Sequence, residues 1–276
     1  LFRSGYDEKE KFYKVVHKEA TTHEQRDEFR CSKYVQSDLC DVFPRIKEAL
    51  EQGRKVLFSG TGCQVGALYS YLPKEYDNLY TIDIICHGVP SPKMWKDFLK
   101  MREKELHGKA EAVQFRDKKN FGWTPHYETV QVKGKEYSSR VYTKLFYLNY
   151  LRPSCFQCVY ANKNRPGDIT IADFWGHEKA LPDKWDDEKG ISLVLVNNSH
   201  GMEWWNAAKD ELDYVDCTGY PFRHTNMKRP TAKPATYDAF WKEYHENGFE
   251  AVVKRYAKYE PQSYWKNRLK ALFKKK

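Results

Sequence analysis

Lys55-Val-Leu-Phe-Ser-Gly-Thr-Gly-Cys-Gln-Val-Gly-Ala-Leu-Tyr-Ser-Tyr-Leu72 decides the fold. The apolar run 55–58 has the length and composition of a buried strand, 59–62 reads as its turn, and 63–72 reads as a helix stopped by Pro73. The pattern then repeats. Residues 80–85 read as a second strand, and Ser91-Pro92 supplies an N-cap and a first-turn proline for a helix over 93–106. Strand, helix, strand, helix implies a parallel α/β layer. Upstream, 12–17 reads as a strand and Thr21-Thr-His-Glu24 as a capping box opening a short helix. A further helix runs from about Asp41 through Ile46 and Leu50 to Gly53, a residue suited to ending it.

Downstream the character changes. Residues 112–115, 126–132 and 135–141 read as strands, the last two joined at Gly134 as a hairpin. Strands return at 168–174 and 191–197, with helical spacing over 201–212 and after Tyr237. The expected fold is α/β, a mixed sheet with flanking helices, an antiparallel hairpin insertion and a helical C-terminal tail. Lys228-Arg-Pro-Thr-Ala-Lys-Pro234 reads as a linker, dividing a domain at 1–227 from a basic helical tail at 228–276.

With 276 residues, 41% hydrophobic and 31% charged, the chain has the composition of a globular protein. Its apolar runs are of strand length, far below the roughly 20 residues of a membrane span, so no span is expected. It starts at Leu1 without an apolar signal core, which reads as an intracellular, cytoplasmic chain cut from something longer. Seven cysteines, an odd number, suit reduced thiols better than a disulfide scaffold. The net charge of +9 is partly an end effect, because Lys266, Arg268, Lys270, Lys274, Lys275 and Lys276 crowd the terminus. A basic end is usually a solvated end; an acidic partner or anionic cofactor ranks next, and no nucleic-acid partner is expected.

Four cysteines stand in chemically suggestive company: Cys63 after Ser59-Gly-Thr-Gly62, Cys86 in Cys86-His87-Gly88, and Cys155 and Cys158 in a CxxC bounded by Arg152-Pro153 and Asn162-Lys-Asn-Arg165. Four thiolates suit zinc or an iron–sulfur cluster. The strand-to-helix turn before Cys63 offers backbone amides and a helix N-terminus to a phosphate, a thiolate or a cluster. Cys86 ends the next strand, where ligand sites of α/β sheets collect. Plainer readings stand beside these: a flexible turn, a small buried hydrophobe at Cys86, a redox dithiol at the CxxC. Cys31, Cys40 and Cys217 lack such neighbours and read as structural. His87, His126 and His177 lie near loops and read as hydrogen-bonded side chains more than as ligands.

Val56-Leu-Phe-Ser-Gly-Thr-Gly-Cys-Gln64, Asp83-Ile-Ile-Cys-His-Gly-Val-Pro-Ser-Pro92, Phe115-Arg-Asp-Lys118 with Gly122-Trp123, and Arg152-Pro-Ser-Cys-Phe-Gln-Cys158 followed by Asp168-Ile-Thr-Ile-Ala-Asp-Phe-Trp-Gly176 together resemble the coenzyme F420 hydrogenase/dehydrogenase beta-subunit family. The likeness runs in order from about Phe12 to Asn197. Gly62 stands where that family usually has proline. The resemblance implies an oxidoreductase holding a [4Fe-4S] cluster and FAD, which passes electrons between the cluster and a two-electron acceptor. In members that use it the acceptor is coenzyme F420; others reduce other substrates. The implied cluster ligands are Cys63, Cys86, Cys155 and Cys158. The implied flavin site has Ser59, Gly60 and Thr61 at the pyrophosphate and Asp173, Phe174 and Trp175 along the ring, with Lys33, in Ser32-Lys-Tyr-Val-Gln36, favouring the anionic reduced ring. Many relatives carry an N-terminal ferredoxin-like module, so ferredoxin or such a module is the implied donor, with partner oxidoreductase subunits. Two other readings remain open: a non-catalytic electron-transfer subunit with the cluster alone, and a zinc-stapled binding module on the same cysteines.

Overall fold

The computed structural model describes residues 1–181, 189–221 and 223–259. The basic run from Lys266 to Lys276 lies outside the described residues. Strand β3 (Val56–Thr61) is followed directly by α3 (Gly62–Tyr71), then β4 (Leu79–Ile84) and α4 (Pro92–Leu106). The two strands pair in parallel, Phe58 opposite Thr81 and Thr61 opposite Ile84. The expected turn at 59–62 is therefore strand almost to its end. Ser59, Gly60 and Thr61 stay in the ladder because Ile82, Asp83 and Ile84 continue it beside them.

The mixed sheet is completed by β1 (Phe2–Asp7), β2 (Lys11–Glu19), β8 (Ile169–Asp173) and β9 (Ser192–Val196), in the order β2-β1-β3-β4-β8-β9. Strands β1, β3, β4 and β8 run parallel, and β2 and β9 are antiparallel at the two edges. Strand β1 went unread in the sequence. Phe2-Arg-Ser-Gly-Tyr has little strand propensity, and pairing with β2 and β3 fixes its conformation instead. Its neighbours α1 (His23–Asp27) and α2 (Val42–Glu51) are as expected, except that the capping box sits at Thr22 and Gln25, one residue later than Thr21 and Glu24. Helices α2 and α3 close one face with Phe2, Ile46, Leu50, Phe58, Val65 and Leu68.

Between β4 and β8 the chain makes a long excursion through α4, a three-stranded antiparallel sheet of β5 (Ala110–Gln114), β6 (Glu128–Val132) and β7 (Lys135–Ser139), and α6 (Val141–Tyr147), with the short α5 (Lys118–Phe121) between β5 and β6. Lys133 and Gly134 both have positive φ at the hairpin, as a tight two-residue turn requires. Helix α6 replaces the end of a strand expected to reach Val141. It has no local side-chain cap; the buried Glu128 carboxylate, from a neighbouring strand, accepts from the amides of Tyr142 and Thr143. A non-local cap leaves no local signature. The expected helix at 201–212 is α7 (Ser199–Ala208). The C-terminal α8 (Tyr237–Asn247) and α9 (Phe249–Val252) share one buried cluster with α4 and the small sheet, where Phe240 and Val252 meet Trp95, Phe98 and Tyr142. No helix among the described residues is long and apolar enough to cross a membrane.

Candidate cofactor site

The excursion returns to the main sheet through a 3₁₀ turn, Pro153–Gln157, that contains Cys155 and has Cys158 as its C-cap. Leu151 forms a bridge with Pro90, and the Arg152 amide donates to Val89 O at 2.9 Å, so the turn lies against the segment leaving β4. Glycines make the approach possible. Gly88, at φ +130°, leaves no room for a side chain: a Cβ there would stand 2.6 Å from Leu151 and 3.3 Å from Cys155 Cβ. A Cβ on Gly66 would fall 2.2 Å from the Tyr160 hydroxyl, so α3 needs glycine where the CxxC loop packs on it.

One buried ion pair locks the arrangement. Arg165 Nη2 and Nε reach Asp83 Oδ1 at 2.7 and 3.1 Å, Nη1 and Nη2 donate to the carbonyls of Tyr160 and Ile84, and the Gly167 amide donates to Asp83 Oδ2. Both side chains are 3% exposed or less. With every polar atom of Asp83 engaged, the pair pins the loop after the CxxC to β4.

Cys63 in the first turn of α3, Cys86 after β4, and Cys155 and Cys158 thus share one neighbourhood, near enough to influence one another electrostatically. All four are free thiols. Burial pushes the Cys86 thiol up to about 12, and the proximity of Cys63, Cys155 and Cys158 pushes the same way. Cys155 is raised by burial and by Cys63 and Cys158. Any cation that binds here must displace those protons, which makes uptake favoured by rising pH. Among the described residues, no three His, Cys, Asp or Glu side chains close on a single-ion site. Cys31, Cys40 and Cys217 take no part in this electrostatic group. His87 turns away, its Nε2 2.7 Å from Asn149 Oδ1.

The residues expected at a flavin lie on both sides of this group. Ser59 is buried; Gly60 sits against the Gln64 and Phe58 side chains; the Thr61 amide already donates to Gln64 Oε1 at 2.9 Å. Asp173 ends β8 and binds Arg116 and Trp123 Nε1; burial opposes its ionisation, but these bonds hold its carboxyl below the usual range. Phe174 is buried at 3% exposure. Trp175 stacks on Trp123 at 4.5 Å and 6°, so one of its faces is covered. Lys33 folds back on its own turn, its ammonium donating to the carbonyls of Phe29, Arg30 and Cys31 at 3.0–3.2 Å, and burial pushes it down to about 8. The segment around it spans the site: the Tyr34 carbonyl accepts from the Tyr142 hydroxyl, the Gln36 amide donates to Pro90 O, and Ser37 accepts from Gln64.

Beside Asp173–Trp175 lies a small, largely closed hollow, too narrow to admit a water molecule, that the sequence did not suggest; it is lined by Tyr34, His126, Tyr142, Thr143, Phe146 and Tyr147. The Tyr147 hydroxyl is 2.8 Å from His126 Nδ1, and the His126 ring stands 6.2 Å from Trp175. Burial pushes His126 down to about 4, and Arg116, Arg140 and Lys118 add to that against Asp173. On the other side, His87 contacts Phe146 at 5.1 Å. Rings therefore connect the residue next to Cys86 with Trp175.

Residues 53–217, more than half of the chain, match the family model for the C terminus of the coenzyme F420 hydrogenase/dehydrogenase beta subunit. The chain belongs to this family. The family places it among oxidoreductases. A chain of the F420-reducing [NiFe] hydrogenase complex from Methanosarcina barkeri, solved as a xenon derivative, superposes with a TM-score of 0.50 at 18% identity. That alignment covers 76% of this family member and 66% of the hydrogenase chain, and at such identity the likeness is one of fold. A search of curated protein sequences gave no match.

Proposed function

We propose that this family member is an iron–sulfur flavoprotein subunit that passes electrons between a [4Fe-4S] cluster on Cys63, Cys86, Cys155 and Cys158 and a two-electron acceptor by way of FAD. The observation that supports the reading is that four thiols, brought by two neighbouring parallel strands and one returning loop, lie near enough to raise one another's pKa. When bound, the cluster supplies single electrons and the flavin the step from one electron to two. The protein's own part is to hold the cysteines in register through Arg165–Asp83 and to offer, around that hollow, the rings of Trp175, His126 and Tyr147 as partners for a planar ring. Arg116, Lys118 and Arg140 give that hollow a positive field, which favours an anionic ring or acceptor. Coenzyme F420 or another acceptor, a ferredoxin or ferredoxin-like donor, further oxidoreductase subunits and a cytoplasmic setting belong to the same proposal.

Anaerobic reconstitution with iron and sulfide tests it. The expected result is about four irons per chain, with most of the iron lost in Cys155→Ser and in Cys158→Ser. Full iron content in either variant sinks the ligand assignment. A colourless protein that takes up zinc and no iron supports the zinc staple. Cluster absorbance without FAD uptake supports the electron-transfer subunit instead. Lys33→Ala is expected to weaken FAD retention, since the segment it ties down borders both halves of the site.

A further inference from the structure

His17 stands buried at 3% exposure in β2 and stacks on Phe58, far from any role in the electron path just proposed. Its Nε2 lies 3.2 Å from the Ser59 carbonyl and its Nδ1 2.6 Å from Ser37 Oγ. Ser37 Oγ is 3.1 Å from Gln64 Nε2, Gln64 Oε1 is 2.9 Å from the Thr61 amide, and Thr61 Oγ1 is 3.1 Å from both Gln64 Oε1 and Cys63 Sγ. The chain runs without a gap from the buried imidazole to a candidate cluster ligand.

The Ser59 carbonyl and the Thr61 amide have fixed polarity, so the direction of every bond between them follows, while between Thr61 Oγ1 and Cys63 Sγ either atom can donate until the sulfur is a thiolate. A carbonyl only accepts, hence His17 Nε2 carries a proton and Nδ1, bare in the neutral ring, takes the Ser37 hydroxyl proton. Ser37 Oγ can then accept from the Gln64 amide nitrogen. The other end agrees, because the Thr61 amide only donates and therefore requires the Gln64 oxygen to face it. With the amide locked this way, Gln64 Oε1 accepts from the Thr61 amide, and its second lone pair competes with Cys63 Sγ for the single Thr61 hydroxyl proton. A thiolate, carrying full charge, is the stronger acceptor of the two within reach.

We propose that His17, Ser37 and Gln64 are positioning residues that aim the Thr61 hydroxyl at the Cys63 sulfur, and that this hydrogen bond raises the reduction potential of a cluster bound there. The inference rests on the reading of Cys63 as a ligand. Hydrogen bonds to cluster sulfurs are a recognised determinant of potential, and a donor favours the state with more negative charge on sulfur, the reduced one. The local geometry also explains why a serine, a glutamine and a histidine from three separate elements surround one turn that a threonine alone would cap.

Potentiometric titration of the reconstituted protein, followed by cluster absorbance, is the experiment. Thr61→Val is expected to lower the ratio of reduced to oxidised cluster about tenfold at fixed potential, equivalent to about 59 mV for one electron. Thr61→Ser, which keeps the hydroxyl, should restore the wild-type value. Ser37→Ala, which frees the Gln64 amide to rotate without touching the helix start, should shift the potential in the same direction. An unchanged potential in either Thr61→Val or Ser37→Ala overturns the proposal. A readout independent of the cluster is the nitrogen chemical shifts of His17 in the metal-free chain. They should report the Nε2-protonated tautomer, and the Nδ1-protonated form overturns the relay. If the wild-type chain takes up no iron, the ligand reading fails, while the tautomer measurement still decides whether the relay exists.

Discussion

On the cysteine side of the site, glycines permit close backbone approach and the Arg165–Asp83 pair is shut away from water; on the aromatic side, stacked rings meet an Arg116–Asp173 pair whose carboxylate keeps 27% of its surface exposed. The difference matters because an ion pair's cost on disruption depends on whether water can replace the lost partner. The first side, with its close glycine contacts and buried ion pair, has few alternatives to its packing. The second retains solvent access at its carboxylate.

Breaking the first side should have the largest effect. Arg165→Ala leaves Asp83 buried and unpaired, and is expected to cost about 3–5 kcal/mol in urea unfolding and to abolish iron uptake. A variant with near-native stability and full iron content would remove the claim that this pair organises the loop.

Acid should weaken the same side next. Burial, with a contribution from Arg3, pushes His17 down to about 4, against an ordinary value of 6.5. Between those values the unfolded chain binds a proton that the folded chain refuses. Stability due to His17 is therefore present above about pH 6.5 and declines as pH falls toward 4, by up to about 3 kcal/mol. His17→Gln should remove that part of the slope between pH 7 and 4; a wild-type slope retained in the variant shows that other groups produce it. His126, lowered mainly by burial and partly exposed, acts in the same direction.

On the second side, Arg116→Gln sharpens the contrast. It removes the charged bond to Asp173, yet water can reach that carboxylate, so the expected cost is smaller, about 1.5–3 kcal/mol, with iron content unchanged. A loss of iron here as complete as in Arg165→Ala would show that the two sides are one unit. Cys217→Ser marks the lower end: no effect on iron, because this thiol is not among the neighbours of the other four. Iron analysis of that variant against wild type is sufficient.

The sequence was most legible where each element carries its own signals. Ser91-Pro92 announces α4, and the Ser91 side chain indeed accepts from the Lys93 amide. The alternation of β3, α3, β4 and α4 needed only apolar runs and a proline. The four cysteines were identifiable one by one from their flanking residues, and the nearness of Cys63 and Cys86 from the logic of neighbouring parallel strand ends. Legibility ended where a residue's meaning lies in a distant partner. Helix α6 is capped by Glu128 from a neighbouring strand, β1 owes its conformation to β2 and β3, and Lys33 spends its charge on its own turn rather than facing outward.

By itself the sequence determined the layer type, the family and which thiols are chemically eligible, because strand and helix periods and short motifs are local properties of the chain. Tertiary structure alone decided the rest: that Gly88 and Gly66 must lack side chains, that Arg165 finds Asp83, and that His17 reaches Cys63 through Ser37, Gln64 and Thr61. Those facts join residues far apart in the chain, and hydrogen-bond polarity and close packing act through space, where sequence order leaves no trace.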